Sequence, residues 1–248
     1  MKPSLTHPLI LLIILGLLCG CASTGKPMKT LQYTGPKSDG KHLLVALRGI
    51  GGSIESFEQY GFIEALHEHY PEYDVIIPDA HFQFYRERII DQRLRTEILL
   101  PAKAQGYETI WLVGTSLGGL GSLLSMAADD EQNKHLLSGA VLIAPISGSE
   151  EFHALLEESM KTQKPITQEM LHEKDDKDLL PLWQWILKSG NAFEQGNIWL
   201  AYGRQDEYSG HNLLATRLAA SHVIAIDGNH RPKVFAELWK IVLTKKPF

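Results

Sequence analysis

Cysteine is nearly absent from this 248-residue chain, which has only Cys19 and Cys21. Both lie near the N-terminus, so the rest of the chain can form no disulfide of its own. An excess of basic residues is also missing, because the formal net charge is −5 at pH 7. This balance argues against a nucleic-acid partner. The H-E-x-x-H motif of zinc enzymes does not occur either, and we predict neither a metal nor a cofactor.

The chain has no apolar run as long as the roughly 20 residues that a membrane span needs. The stretch Leu9–Leu18 is shorter, is followed by small residues, and is typical of a secretory signal. The letters LCGC at its end resemble the lipobox of bacterial lipoproteins. That resemblance implies a signal peptide at 1–20, cleavage before Cys21 and lipid attached to Cys21. The alternative is ordinary cleavage, for instance after Ser23, which would release a soluble exported protein.

Several acyl chains on one cysteine give a stable membrane anchor. Ala22, and not an aspartate, follows Cys21. By resemblance to lipoprotein sorting in bacteria with two membranes, this implies the outer membrane, with the protein facing the periplasm. Residues 21–40 are rich in Ser, Thr, Gly, Lys and Pro, which predicts a tether. We expect the folded domain to occupy residues 41–248.

From His42 onward, short apolar runs alternate with segments of helical spacing. The apolar runs are HLLVAL, YDVIIPDA, TIWLVG, GAVLIAPISG, NIWLAYG and HVIAID. Continuous apolar strands separated by helices predict an α/β domain with a mainly parallel sheet covered on both faces. Ligands of such sheets bind at the carboxyl ends of the strands.

One serine stands at such a strand end, between glycines. Residues Gly114–Gly118 match G-x-S-x-G, with an apolar strand before the motif and a helix after it. Glycines permit a sharp turn, because they remove Cβ atoms that would clash. Ser116 would then stand above the sheet at the amino end of a helix, whose dipole favours developing negative charge. The alternative is a serine that serves only the turn.

A serine hydroxyl becomes a good nucleophile when a base takes its proton and a carboxylate orients that base. Asp206 follows the strand NIWLAYG, and His230 follows the next strand, HVIAID. The order serine, acid, histidine is the one expected on a sheet of this kind. We therefore predict a catalytic triad of Ser116, Asp206 and His230, with Glu207 as the reserve acid and Asp227 as a weaker one.

Two backbone N–H groups are needed to bind the oxyanion of an acyl-transfer intermediate. The residue after the nucleophile, Leu117, is predicted to supply one. The loop Arg48–Gly52 is predicted to supply the other from Ile50, with Gly51 in reserve. The alternative, a phosphate-binding loop, lacks the Gly-Lys-Ser/Thr that would follow it.

Together these motifs resemble the α/β-hydrolase family over residues 42–243. The motifs are the turn Gly114–Gly118, the loop Arg48–Gly52, GRQDEY and GNHR. The resemblance implies the α/β-hydrolase fold and a Ser-Asp-His triad, and it does not identify a substrate.

The chain departs from that family at two places. Many relatives carry a histidine where this chain has Arg48. Relatives also often have a short glycine-rich turn where this chain has the bulky Phe82, Phe84 and Tyr85. These three side chains either line the pocket or pack the loop.

Residues 149–191 form an insertion that the sheet does not need. In the family, an insertion at this place forms a lid over the site, so the resemblance implies a small helical lid. Its apolar underside would consist of Leu179, Leu182, Trp183, Trp185 and Ile186. The alternative is that these side chains only attach the insertion to the body.

The expected function is a serine hydrolase, anchored to the bacterial envelope, that cleaves carboxylic esters or thioesters through an acyl-enzyme. Its partner would be a small-molecule acyl ester or thioester. Two alternatives remain open: an acyltransferase on the same fold, and a non-catalytic binding lipoprotein.

Overall fold

The computed structural model describes residues 26–132, 134–188, 193, 197–208 and 210–248. The predicted signal peptide at 1–20 and the predicted lipid site at Cys21 lie outside the described residues. Within the described part, no helix combines the length and the hydropathy needed to cross a bilayer.

Seven strands form one sheet in the order β1-β3-β2-β4-β5-β6-β7. They are β1 (Thr30–Tyr33), β2 (His42–Leu47), β3 (Tyr73–Pro78), β4 (Thr109–Thr115), β5 (Gly139–Ile143), β6 (Ile198–Gly203) and β7 (Val223–Ile226). Strand β1 runs antiparallel to β3, and all other neighbours are parallel. The six parallel strands therefore end at one edge, called here the carboxyl edge.

Helices connect these strands. They are α1 (Ser56–Gln59), α2 (Phe62–His69), α3 (Phe82–Arg86), α4 (Ile90–Leu94), α5 (Leu100–Gln105), α6 (Leu117–Glu131), α7 (Glu150–Thr162), α8 (Lys174–Leu187), α9 (His211–Ala215) and α10 (Pro232–Thr244). A π-helical turn at Arg95–Leu99 joins α4 to α5, and short 3₁₀ turns lie at Gln168–Met170 and Ala220–His222.

The alternation of side chains along each strand divides the core into two layers. In β2, Leu43, Val45 and Leu47 enter the layer that packs against α4, α6 and α8. Leu44 and Ala46 enter the layer that packs against α2 and α10. Because both faces are covered, the strands are apolar throughout, as a parallel sheet requires.

The structure corrects the predicted tether at residues 21–40. Residues Thr30–Tyr33 are strand β1, whose pairing with β3 runs from Thr30 opposite Pro78 to Tyr33 opposite Val75. The folded part therefore begins before residue 41. This edge strand has only four residues and is mostly half-buried, so it lacks the apolar run that marks the central strands.

The insertion folds as α7 and α8 and packs on the body of the domain. The indole of Trp183 is fully buried and donates to the backbone oxygen of Ser147 at 2.7 Å. That of Trp185 donates to Asp130 Oδ2 at 2.8 Å. All five apolar side chains predicted for the lid belong to the core layer on the α6 side of the sheet. They attach the insertion to the body, and a lid role for 149–191 stays a prediction.

We therefore expect Trp183→Ala to destabilise the fold and not to redirect substrate choice. Truncation of a fully buried tryptophan should lower the free energy of unfolding by about 3–5 kcal/mol, because it leaves a cavity. Met170→Ala, at a residue of the same insertion that is 45% exposed, should change it by less than about 0.5 kcal/mol. Urea unfolding measures both, and equal stabilities for the two variants would contradict the packing described.

Candidate active site

Ser116 stands between β4 and α6 in a strained backbone conformation, with φ of 55° and ψ of −119°. A positive φ is costly for a residue with a side chain, so neighbouring structure must hold it. Its N–H donates to the oxygen of Ile143 at 2.9 Å, and its own oxygen accepts from the N–H of Ile146 at 3.2 Å. Both contacts tie the turn to β5 and the residues after it.

The glycines of G-x-S-x-G are required by close backbone approach. A Cβ atom on Gly114 would lie 2.1 Å from the oxygen of Gly118. A Cβ atom on Gly118 would lie 1.9 Å from the oxygen of Leu47, at the end of β2. No side chain fits at either place, which is the physical basis of the motif.

The structure brings Ser116, Asp206 and His230 together. The distance from His230 Nε2 to Ser116 Oγ is 2.8 Å, and that from His230 Nδ1 to Asp206 Oδ2 is also 2.8 Å. With the ring proton on Nδ1, His230 donates to the carboxylate and the serine hydroxyl donates to Nε2. Asp206 follows β6 and His230 follows β7. Because these strands are parallel neighbours, their carboxyl ends bring the two side chains together.

The two reserve acids do not reach the histidine. Asp227 has a side chain that is 84% exposed and pairs with Arg204 at 3.0 Å. Glu207 is exposed. The side chain of Asp206 is only 1% exposed, and that of His230 is 11% exposed. The hydrogen bond between these two side chains is therefore shielded from water, which strengthens it.

Two aromatic rings that sequence reasoning missed hold the imidazole from its sides. The Tyr208 ring centroid lies 4.5 Å from that of His230, and the Phe235 centroid lies 4.8 Å from it, both in edge-on geometry. The backbone N–H of Tyr208 also donates to Asp206 Oδ1 at 2.9 Å. The sequence offered one signal for these two rings, because Tyr208 lies close to Asp206 along the chain and Phe235 lies close to His230.

The loop predicted to supply an oxyanion donor lies against the serine. A Cβ atom on Gly49 would lie 3.1 Å from Ser116 Cβ and 3.7 Å from Ser116 Oγ. Ile50 follows Gly49 directly, and Leu117 is the first residue of α6. The structure thus places the segments that carry both predicted donors beside Ser116. Their role as donors stays a prediction.

Arg48, one of the two departures from the α/β-hydrolase resemblance, supports this loop. Its Nη2 and Nε atoms donate to Asp79 Oδ1 at 2.9 and 3.3 Å, and its Nη1 donates to the oxygen of Gly49 at 3.3 Å. The guanidinium therefore connects the loop after β2 with the loop after β3. The sequence showed that Arg48 is unusual at this position, but it did not reveal that Asp79 is its partner.

A second serine–histidine contact lies deeper in the fold. Ser147 is fully buried, and its hydroxyl lies 3.1 Å from His153 Nε2. His211 donates from Nε2 to the oxygen of Pro145 at 3.2 Å. Burial lowers the pKa of both His153 and His211, because it disfavours the charged imidazolium.

A cleft of about 630 Å³ adjoins the acid side of the triad, between α7, β6 and α9. Asp206 and Tyr208 line it, whereas Ser116 and His230 do not. Among the described residues, no three His, Cys, Asp or Glu side chains gather into a group that could hold a metal ion.

Several solved structures match the chain over most of its length. A putative hydrolase from Agrobacterium vitis S4 is 18% identical, with a TM-score of 0.58 over 91% of this chain and 95% of its own. MGS-MChE2, an alpha/beta hydrolase enzyme from a lagoon-sediment metagenome, is 17% identical, with a TM-score of 0.53 over 91% and 99%. Est1E from Butyrivibrio proteoclasticus is 14% identical, with a TM-score of 0.54 over 88% and 95%.

Neither a protein-family model nor a curated protein matches the sequence. At these identities the structural likeness shows the fold alone. The mainly parallel seven-stranded sheet, its helices and these matches confirm the predicted α/β-hydrolase fold.

The two buried histidines predict a loss of stability in mild acid. Because their pKa values are lowered in the folded protein, the unfolded chain binds more protons as the pH falls through about 6.5. Each histidine then removes up to about 1.4 kcal/mol of stability per pH unit, until it is protonated in the folded state too. The double variant His153→Asn/His211→Asn should show a shallower decline.

Urea unfolding between about pH 7.5 and 5.5 measures how the free energy of unfolding changes with pH, for the wild-type protein and for the double variant. Contributions of carboxylates that are distant from both histidines are common to the two proteins and cancel in the comparison. If the free energy of unfolding fell equally with pH in both proteins, these histidines would not be the cause of the acid sensitivity.

Proposed function

We propose that the chain is a serine hydrolase that cleaves carboxylic esters or thioesters, with Ser116 as its nucleophile. The observation that carries the proposal is the pair of 2.8 Å contacts that His230 makes to Ser116 and Asp206. The strained turn at Ser116 supports it, because such strain persists at functional sites, where surrounding structure holds it in place.

In the first half of the reaction, Ser116 Oγ attacks the acyl carbon while His230 Nε2 takes its proton. The carbonyl oxygen becomes an oxyanion, and the N–H groups of Leu117 and Ile50 bind it. The tetrahedral intermediate collapses when the bond to the leaving alcohol or thiol breaks. His230 gives its proton to that leaving group, and the acyl group stays on Ser116.

In the second half, His230 takes a proton from water, and the resulting oxygen nucleophile attacks the acyl-serine. Collapse releases the carboxylic acid and returns the proton to Ser116 Oγ. Asp206 keeps the ring proton on Nδ1 and stabilises the imidazolium that forms in each half. Its side chain is almost fully buried, so this stabilisation is weakly screened by water.

The names of the structural neighbours agree with this assignment, because they include a putative hydrolase and an alpha/beta hydrolase enzyme. The contacts of the predicted triad are all present, which argues against the non-catalytic binding lipoprotein. Acyl transfer to an acceptor other than water would use the same residues. We further propose that lipid on Cys21 anchors the enzyme to the periplasmic side of the outer membrane.

Kinetics of single and double variants test the triad. Ser116→Ala and His230→Ala should each lower kcat for a short water-soluble ester by about 10⁴-fold or more. The double variant should be scarcely worse than either single variant, because residues that act as one unit lose their effect together. If Ser116→Ala retained more than about a tenth of the activity, the nucleophile would be misassigned.

The same kinetic measurements test which carboxylate is the acid of the triad, with Asp206 and its neighbour Glu207 as a matched pair. Asp206→Asn should lower kcat by about 10⁴-fold, since it favours the wrong tautomer of the histidine. Glu207→Gln removes an exposed carboxylate one residue away and should leave kcat unchanged. The reverse pattern would move the role of the acid to Glu207.

A further inference from the structure

The N-terminal segment is fixed to the domain from residue 26 onward. The backbone oxygen of Lys26 accepts a hydrogen bond from Arg93 Nη2 at 2.8 Å. The N–H of Met28 donates to Glu97 Oε2 at 2.6 Å, and the Met28 side chain is buried in the core. These contacts place the start of the described chain on α4 and the π turn that follows it.

This entry point lies at the carboxyl edge of the sheet, the edge at which Ser116 also lies. The oxygen of Lys29 accepts from the N–H of Asp79 at 2.7 Å, directly after β3. The carboxylate of Asp79 holds Arg48. Arg48 precedes Gly49, which lies against Ser116. A short series of contacts therefore joins the entering chain to the candidate site.

The proposed anchor lies very near this entry point along the chain. Only residues 22–25 separate Cys21 from Lys26. Fully extended, this stretch spans at most about 18 Å. A domain of about 220 residues has a radius of gyration near 17 Å and is about 44 Å across. A lipid on Cys21 would therefore keep the carboxyl edge, and not the opposite end, close to the bilayer.

Exposed apolar side chains surround the same edge. Ile50, Phe82 and Tyr208 follow the ends of β2, β3 and β6 and are 55%, 47% and 40% exposed. Tyr60, 39% exposed, lies just before α2 in the connection that leaves β2. We call these four residues the rim. Aromatic side chains with one polar end favour the interface between lipid and water.

Two cations accompany the rim. Lys26 and Lys29 are both exposed and belong to the segment that enters at this edge. Glu55 lies within electrostatic range of both Lys29 and Asp79, so these lysines give the edge no clear excess of positive charge, and the apolar rim carries the docking argument.

We propose that the rim docks on the bilayer that holds the lipid of Cys21, so that the substrate is an acyl ester resident in that bilayer. The inference rests on the proposed hydrolase function and on the proposed anchor. The ester carbonyls of acyl lipids lie at the boundary between headgroups and chains. A docked rim brings Ser116 to that boundary, and hydrolysis then adds water across the acyl–oxygen bond to give a fatty acid and an alcohol.

Docking is measured without reference to activity. The full chain, carrying its lipid, is reconstituted in vesicles of phosphatidylcholine and phosphatidylglycerol. One fluorophore is attached through Phe82→Cys and, in a matched control, through Leu100→Cys, which is 41% exposed in the native chain. Leu100 lies on α5, which runs toward the opposite edge, where Tyr107 contacts Asp74.

A quencher embedded in the bilayer should quench the probe at 82 severalfold more than the probe at 100. Equal quenching at both positions, or none at either, would overturn the docking.

Hydrolysis then tests the substrate class. Tyr60→Ser/Phe82→Ser should lower the rate on a fluorogenic acylglycerol in the vesicles by about tenfold, because less of the interfacial area is buried. Leu100→Ser should not change it. All three proteins should cleave a short water-soluble ester equally. If the wild-type protein cleaved the soluble ester but not the acylglycerol, the substrate class would be overturned. An unchanged vesicle rate in the rim variant would overturn the role of the rim. Absence of soluble activity in every protein would instead count against the hydrolase function.

Discussion

The turn at Ser116 exists because three backbone segments approach more closely than any side chain would allow. Gly114 and Gly118 lie within one turn of each other, and Gly118 lies against the carbonyl of Leu47. This contact joins β4, α6 and the end of β2, so the loop after β2 is brought beside the serine. The strained φ at Ser116 costs on the order of 1–3 kcal/mol, and the sheet on both sides keeps the turn in that conformation.

The rest of the site follows from the order of the strands. Because β4, β5, β6 and β7 are parallel neighbours, the residues after their carboxyl ends meet above one edge of the sheet. Asp206 and His230 reach Ser116 from separate loops, and Tyr208 and Phe235 fix the imidazole between them. The same edge receives the N-terminal segment, and the contact of Asp79 with Arg48 is part of the series that joins the chain entry to the candidate oxyanion loop.

The central strands and the meeting of Ser116, Asp206 and His230 could be predicted because each has a strong local signal. Buried parallel strands are continuous apolar runs, and the chemistry of a serine nucleophile demands a base and an acid at later strand ends. Strand β1 escaped prediction, since four residues at a sheet edge, three of them half-buried and one exposed, resemble a linker. The insertion was ambiguous for another reason. An apolar helix face such as that of Trp183 has the same pattern whether it covers a pocket or packs on a core, and only the contacts distinguish the two. The Arg48–Asp79 pair depends on two loops distant in sequence, which no local pattern reveals.

The central claim is that His230 activates Ser116 and no other serine. The contact between Ser147 and His153 offers an internal comparison, because it has a similar distance at a serine that is fully buried. Treatment with a fluorophosphonate, followed by peptide mass spectrometry, reports which serine is nucleophilic. We predict one adduct, on Ser116, and no adduct in His230→Ala. An unmodified Ser116 in the intact protein, or an adduct on Ser147, would contradict it.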